Sequence, residues 1–437
     1  MTARLQNVET TTIVSHQTIR ESFPELTFTG PTVLLLEITH LLAELIATPS
    51  VNPMGLAGGQ AALDGGYFES RLTNYLEKYF QALRLPVLRQ VVAPHRDNLL
   101  ARLDPPNRTR GDGPLLLIDV HQDTVPVDQM RIEPFAAKTD GMRMYGRGAC
   151  DVKGGMAAIL DAIRQITEAS HQQIPSIVIA CTVNEEHGFT GAIELAKLWE
   201  NDAISDFLGK KPDACIVTEP TELQVITQHK GVIRWRCHTG GKAAHSSQTL
   251  HAENAIYRMG QVLRELEHYA GNVLPQFGRD ALCGQATLSV GTITGGVSVN
   301  TIPDRCSIEI DRRLLPTEIP ADAYKHTIEH LETLKKEGIE LQHDMPMLSA
   351  PGLCGEQNKP LADCLLQAIQ NNGQACTIQG APYGTNAGVL AASGLPVVVF
   401  GPGSIAQAHT DDEWIDLGQV KTAAEILFNL ATSEWPI

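Results

Sequence analysis

Seven side chains in this sequence are of the kinds that hold divalent metal or move protons: His121 and Asp123 in VHQDTVP, Asp151 in GRGACDVKGG, Glu185 and Glu186 in NEEHG, Glu219 in TEPT, and His409 in AHTDDEW. Two histidines and several carboxylates without a cysteine suit zinc, cobalt or manganese in a catalytic pair better than a cysteine-rich structural zinc. Two ions about 3.5–4 Å apart need a bridging carboxylate and can share a water molecule. Asp151, flanked by small residues, is the candidate for the bridge. Side chains of adjacent residues in extended backbone point to opposite sides, so one of Glu185 and Glu186 is expected to bind metal while the other faces the water. Asp123, two residues beyond His121, is expected to accept the second N–H of that imidazole and so fix its tautomer.

These residues need a scaffold that brings them together from across the chain. Apolar runs at Leu115 to Val120, Ser176 to Val183, Ala214 to Thr218 and Pro396 to Phe400 read as buried strands. Apolar residues at helical spacing in Gly154 to Thr167 predict a packing helix. Four strand ends are followed by candidate residues, on the edge at which open α/β sheets place their sites. From 229 to 344 the pattern changes to strand, helix, two strands, helix and strand, the ferredoxin-like order. The expected fold is therefore α/β: a mixed, mostly parallel sheet with helices on both faces, carrying an inserted ferredoxin-like α+β domain. The expected boundaries are 31–228 and 345–437 for the discontinuous catalytic domain, 229–344 for the insertion, and 1–30 for an N-terminal extension.

A histidine or glutamate standing alone after a strand is more often structural than catalytic. Here the order and the flanking residues carry the weight. The set VHQDTVPV, GRGACDVKGGMAA, NEEHGFTGA, TEPT, GGKAAHSS and FGPG…AHTDDEW resembles the acetylornithine deacetylase / succinyl-diaminopimelate desuccinylase family of dinuclear zinc metallopeptidases and deacylases, over about residues 31 to 430. The resemblance implies one metal on His121, Asp151 and Glu219 and the other on Asp151, Glu186 and His409. It implies Glu185 as general base, Asp123 as the partner of His121, and an inserted lid that dimerises. His245 in GGKAAHSS matches the lid histidine that helps stabilise the tetrahedral oxyanion and reaches the neighbouring subunit's site. Asn300 in VSVNTIP, Arg313 in EIDRRLL, and Gly384 and Thr385 in YGTNAG match positions that contact substrate. An arginine offers a bidentate fork for a carboxylate, although Arg312 stands beside Arg313 and strand alternation decides between them. Asn386 stands where an acidic residue is frequent.

The implied reaction is amide hydrolysis: a water held between the metals gives a proton to Glu185, attacks the carbonyl, and the proton passes to the leaving amine. The expected substrate is a small N-acyl amino acid of the N-acetylornithine kind, as in arginine biosynthesis. A dipeptidase, a carboxypeptidase or a succinyl-diaminopimelate desuccinylase shares the same machinery, and a non-catalytic metal-binding protein is the reading from another class.

The composition narrows the alternatives. With 34 basic and 50 acidic side chains in 437 residues the net charge is −16, which disfavours nucleic acid and anionic membrane surfaces as partners. Nine scattered cysteines without a C-x-x-C pair fit a reduced, cytoplasmic setting. The stretch Gly401 to Ala406 satisfies G-x-G-x-x-A, but Pro402 sits inside the turn and polar QAHTDDEW follows where a dinucleotide-binding helix should open. His187, His229 and His238 receive no role from the sequence.

Overall fold

The apolar runs become neighbouring strands of one sheet. In the computed structural model, residues 37–54, 66–106, 108–169, 171, 174–200 and 204–433 are described; the extension expected over 1–30 lies outside them. The large sheet has the spatial order Val87–Ala93, Arg96–Leu103, Ser176–Thr182, Leu115–His121, Ala214–Val217, Val397–Val399, Val225–His229 and Ile378–Ala381. Its centre, from Ser176–Thr182 to Val397–Val399, is parallel. Antiparallel pairing enters at Val87–Ala93 with Arg96–Leu103, at Arg96–Leu103 with Ser176–Thr182, and where Val225–His229 meets Val399.

Both faces of this sheet are covered, which is why its central strands read as unbroken apolar runs. Leu116, Ile118 and Val120 enter one core with the helices Ile38–Ile46, Ser70–Ala82, Gly154–Ala169, Lys359–Asn371 and Leu417–Thr432. Leu115 and Leu117, one residue out of phase, enter the opposite core under Thr190–Ala196 and Asn386–Ala392. The helix Gly154–Ala169 packs so closely that a Cβ on Gly155 would stand 2.2 Å from the Thr218 methyl. Gly155 thus lets the helix that follows the Asp151 turn sit directly beside the strand end carrying Glu219, while Gly154 makes the same room for Ile415.

The inserted segment forms its own sheet in the order Thr287–Gly295, Arg305–Leu314, Gly231–Gly240, Leu341–His343. Numbered along the chain this is 2-3-1-4, the ferredoxin-like arrangement. Ile233, Trp235 and Cys237 alternate with Arg234 and Arg236, and the apolar set packs under the helices Ala255–His268 and Pro320–Leu331. Fully burying such a side chain contributes about 1.5–3 kcal/mol, so this strand's phase is firmly set and its arginines face away from the core. The strand Leu348–Ala350 also pairs with Gly231–Gly240, bonding Leu348 opposite Arg234. This sheet therefore reaches six residues past 344, because Met345 to Met347 return the chain along the edge of the same strand rather than leaving it.

Candidate metal centre

The four central strand ends deliver their side chains to one edge of the large sheet. His121 closes its strand, Glu219 follows Val217, Glu185 and Glu186 follow Thr182, and His409 lies in the loop beyond Val399. Asp151 arrives from the glycine-rich turn and occupies the middle. Its Oδ1 is 3.0 Å from His121 Nε2, which lies 4.0 Å from Glu219 Oε1. Its Oδ2 is 3.4 Å from His409 Nε2, which lies 3.0 Å from Glu186 Oε2. The donor atoms of His121, Asp151 and Glu219, and those of Asp151, Glu186 and His409, each fall within 4.8 Å of one another, a spacing that could hold a metal ion.

The electrostatics of the cluster favour cations. Burial pushes the carboxyls of Glu185 and Glu219 well above the usual range, reinforced for Glu185 by Glu219 and for Glu219 by Asp151. Glu186 is raised to about 7 by burial and by Asp151. Burial alone would raise Asp151 too, but hydrogen bonds from His121 and His409 hold it below the ordinary carboxylate range. The same contacts work in reverse on His409, raised to about 11 by Asp151 and Glu186. Glu186 Oε1 and Glu219 Oε1 are buried without a hydrogen-bond partner among the described residues. Buried oxygens of this kind are costly unless a donor or a cation meets them, and an all-N/O donor set fits a divalent metal.

Two expectations about neighbouring groups need correction. His121 Nδ1 bonds the backbone carbonyl of Asp123 at 2.9 Å, while the nearest Asp123 carboxylate oxygen is 3.7 Å away. The carboxylate is engaged elsewhere: it accepts the backbone N–H groups of Glu185 and Glu186 at 3.1 Å each and Asn52 Nδ2 at 2.8 Å. Asp123 thus fixes the NEEHG turn, and its main chain fixes the imidazole. The Glu185–Glu186 segment is a turn rather than extended backbone, entered through Asn184 at φ +58°. Left-handed backbone suits Asn better than most residues. The two glutamates diverge because of that turn and not by strand alternation.

A cavity of about 160 Å³ opens over this cluster, lined by Asp151, Glu185, Glu186, Glu219 and His409 on one side. Arg313, Gly384 and Thr385 line it as well, and so does Arg234, which sequence reasoning missed. Arg312 points the other way: it is fully buried in the inserted domain, donating to Glu318 at 2.6 Å and to Tyr269 Oη at 3.0 Å. Alternation along the strand thus separates the two arginines. Thr385 caps the helix Asn386–Ala392 by accepting from Ala387 N, and bonds His229 Nε2 at 3.2 Å. His229 is fully buried, gives its Nδ1 proton to the Lys230 carbonyl, and is held neutral by burial, with its pKa lowered to about 4. Neither His245 nor Asn300 lines the cavity. They lie together on the exposed edge of the inserted domain, where His245 pairs with Thr301 and Ser246 N donates to the Asn300 carbonyl.

A further residue emerges behind the site. Glu413 is buried and accepts the N–H groups of Gly148, Cys150 and Asp151 at 2.9, 2.8 and 3.0 Å, and Arg147 Nη1 at 2.8 Å. Its position in AHTDDEW does not distinguish it from Asp411 and Asp412, so only its contacts reveal it.

Residues 117–433 match the peptidase family M20/M25/M40. The chain is 32% identical over 405 residues to an acetylornithine deacetylase of Yersinia pseudotuberculosis serotype O:1b, covering 90% of this chain and 96% of that one. Among solved structures it resembles an M20 family metallo-carboxypeptidase from Sulfolobus solfataricus with a TM-score of 0.71 at 18% identity, over 91% of this chain and 99% of that one. A tripeptidase from Staphylococcus aureus gives a TM-score of 0.70 at 21% identity, over 90% and 97%. These two likenesses are of fold.

Proposed function

This chain belongs to the peptidase family M20/M25/M40 and is an amide-hydrolysing enzyme, and from that premise we propose that it is a metal-dependent deacylase of small N-acyl amino acids. The observation that carries the reading is the placement of Asp151, whose two carboxylate oxygens face two separate donor triads. His121, Asp151 and Glu219 would hold one divalent cation, and Asp151, Glu186 and His409 the other. Zinc is the expected ion, with cobalt or manganese able to substitute. When bound, such cations polarise a carbonyl and make water more acidic at neutral pH.

The chain's own groups supply the rest. Glu185 takes a proton from the attacking water and returns it to the leaving amine. Asp123 holds the backbone of Glu185 in place. Arg313, Gly384 and Thr385 receive the substrate's carboxylate end, where a guanidinium offers paired donors. His245 and Asn300 serve the oxyanion and the substrate of a second subunit, in a homodimer formed through the inserted domain, which acts as lid over 229–344. The exposed Leu250, Val297 and Val299 on that edge support a docking role for it. No helix among the described residues is long and apolar enough to cross a membrane, and the free cysteines fit a cytoplasmic setting.

The test is amine release from a panel of N-acetyl and N-succinyl amino acids and dipeptides by zinc- or cobalt-loaded enzyme, with a chelated control. Chelator-sensitive turnover of N-acetyl amino acids is the expected result. Turnover of dipeptides alone would assign an exopeptidase, turnover of succinyl substrates alone a desuccinylase. Metal binding with silence across the panel would leave a non-catalytic metal-binding protein.

A further inference from the structure

The wall of the cavity that faces the metal centre carries a charge pattern with a consequence for the substrate. Arg234 and Arg313 stand on neighbouring strands of the lid sheet and share one carboxylate, Asp311. Arg234 Nε is 2.6 Å from Asp311 Oδ2, while Arg313 Nε is 2.8 Å from Oδ1 and its Nη2 is 3.3 Å from Oδ2. Both Asp311 oxygens are committed, and two guanidiniums against one carboxylate leave one positive charge. No nitrogen of Arg234 beyond Nε has a partner among the described residues, and both arginines line the cavity.

The opposite side balances itself once loaded. Two divalent cations on the two triads would offset the carboxylates of Asp151, Glu185, Glu186 and Glu219. The remaining lining side chains include Phe189, Val232, Leu348 and Ile405, which are apolar. No acidic side chain lines the cavity among the described residues apart from those four. With the substrate carboxylate on Arg313, the unpaired end of Arg234 faces the rest of the substrate, and an ammonium there finds a guanidinium and no acidic side chain of this subunit outside the metal cluster among the described residues.

Building on the deacylase reading, we propose that this cavity prefers an N-acyl amino acid with an uncharged side chain to one with a cationic side chain, and that Arg234 is the residue that disfavours the cation. Specificity of this kind rests on repulsion of the wrong substrate as much as attraction of the right one. The chain then differs in preference from what the name of its Yersinia relative indicates.

The experiment compares N-acetylnorleucine with N-acetylornithine, which match in length and differ by a methyl for an ammonium. For the zinc-loaded enzyme, kcat/KM for N-acetylnorleucine should exceed that for N-acetylornithine by about tenfold or more. Arg234→Met should narrow that ratio by raising the ornithine value, and Arg234→Lys, which keeps the charge, should preserve it. A preference for N-acetylornithine over N-acetylnorleucine, or an unchanged ratio in Arg234→Met, overturns the proposal. Calorimetric titration of zinc-loaded Glu185→Gln reads the same order without turnover: tighter binding of N-acetylnorleucine is expected, and equal binding or none overturns it. Failure to hydrolyse either with that binding order intact would count against the deacylase reading alone.

Discussion

Glu413 accepts the backbone N–H of Asp151 at 3.0 Å across 262 residues of sequence. It holds the N–H groups of Gly148 and Cys150 and the Arg147 guanidinium as well, so one buried carboxylate gathers the whole turn that presents the candidate bridge. It also lies four residues beyond His409. The turn and the loop carrying the second histidine are thereby tied together before any cation arrives, which is what precise metal geometry requires of the residues behind it.

Glu413→Ala should cost about 3–5 kcal/mol, because Arg147 is left charged and buried without its partner. Glu413→Gln keeps an acceptor and should cost less, while still displacing Asp151. Urea denaturation together with metal content after dialysis checks this; wild-type stability and full metal retention in Glu413→Ala would show that the clamp is unimportant.

Glu185→Gln should keep both ions and lower kcat by roughly 10²–10⁴-fold, the usual contribution of a positioned base. Metal analysis and steady-state kinetics on one preparation give both quantities. Equal activity would remove Glu185 from the reaction, whereas loss of metal would make it a ligand.

Chelation should abolish turnover and lower the melting temperature, since Glu185, Glu186, Glu219 and Asp151 then crowd together with only His121 and His409 to offset them. Each ion present at a thousandfold its dissociation constant adds about 4 kcal/mol to folding stability. Calorimetric scans of chelated, zinc-restored and cobalt-restored protein measure the difference. A melting temperature indifferent to metal would mean that the cluster does not bind ions strongly.

The sequence made the strands and the candidate ligands legible for one physical reason. Central strands of a doubly covered sheet must be apolar throughout, so the polar residue that ends each run is conspicuous. His121, Glu219 and the Glu185–Glu186 pair were visible in this way, and the strand, helix, two strands, helix and strand expected over 229–344 are the main elements found there. What the sequence hid depends on contacts between distant residues. Glu413 looks like its acidic neighbours, Arg234 looks like any outward residue of an amphipathic strand, and Asp123 binds the following turn instead of the imidazole two residues before it. The route of Leu348–Ala350 was equally hidden, because three residues are too few to show a period.

His229 gives the pH dependence a definite sign. Its pKa is near 6.5 when unfolded and about 4 in the fold. The unfolded chain alone therefore binds this proton between those values, and stability should fall as pH drops from about 6.5 to about 4, by at most about 3 kcal/mol. Denaturation of chelated wild type and His229→Gln across that range isolates the effect as a shallower slope in the variant. Parallel slopes would mean that His229 is not buried neutral.

Asn386 stands where the family resemblance leads one to expect an acid, and its surroundings explain why an amide serves here. Its Nδ2 donates to Asp119 Oδ2 at 2.9 Å and to Thr182 Oγ1 at 3.1 Å. Asp119 is fully buried and already raised to about 6 by that burial. Asn386→Asp would replace the donor with a second carboxylate, and two buried carboxylates in contact cannot both ionise. The pair's shared proton would be held above the unfolded value, so the variant's loss of stability should be largest near pH 8, at about 3 kcal/mol. The loss should shrink as pH falls toward about 5.5 and the pair takes up its proton. Urea midpoints for both proteins at the two pH values decide it. A variant as stable as wild type at the higher pH would mean that Asn386 does not donate to Asp119 in solution.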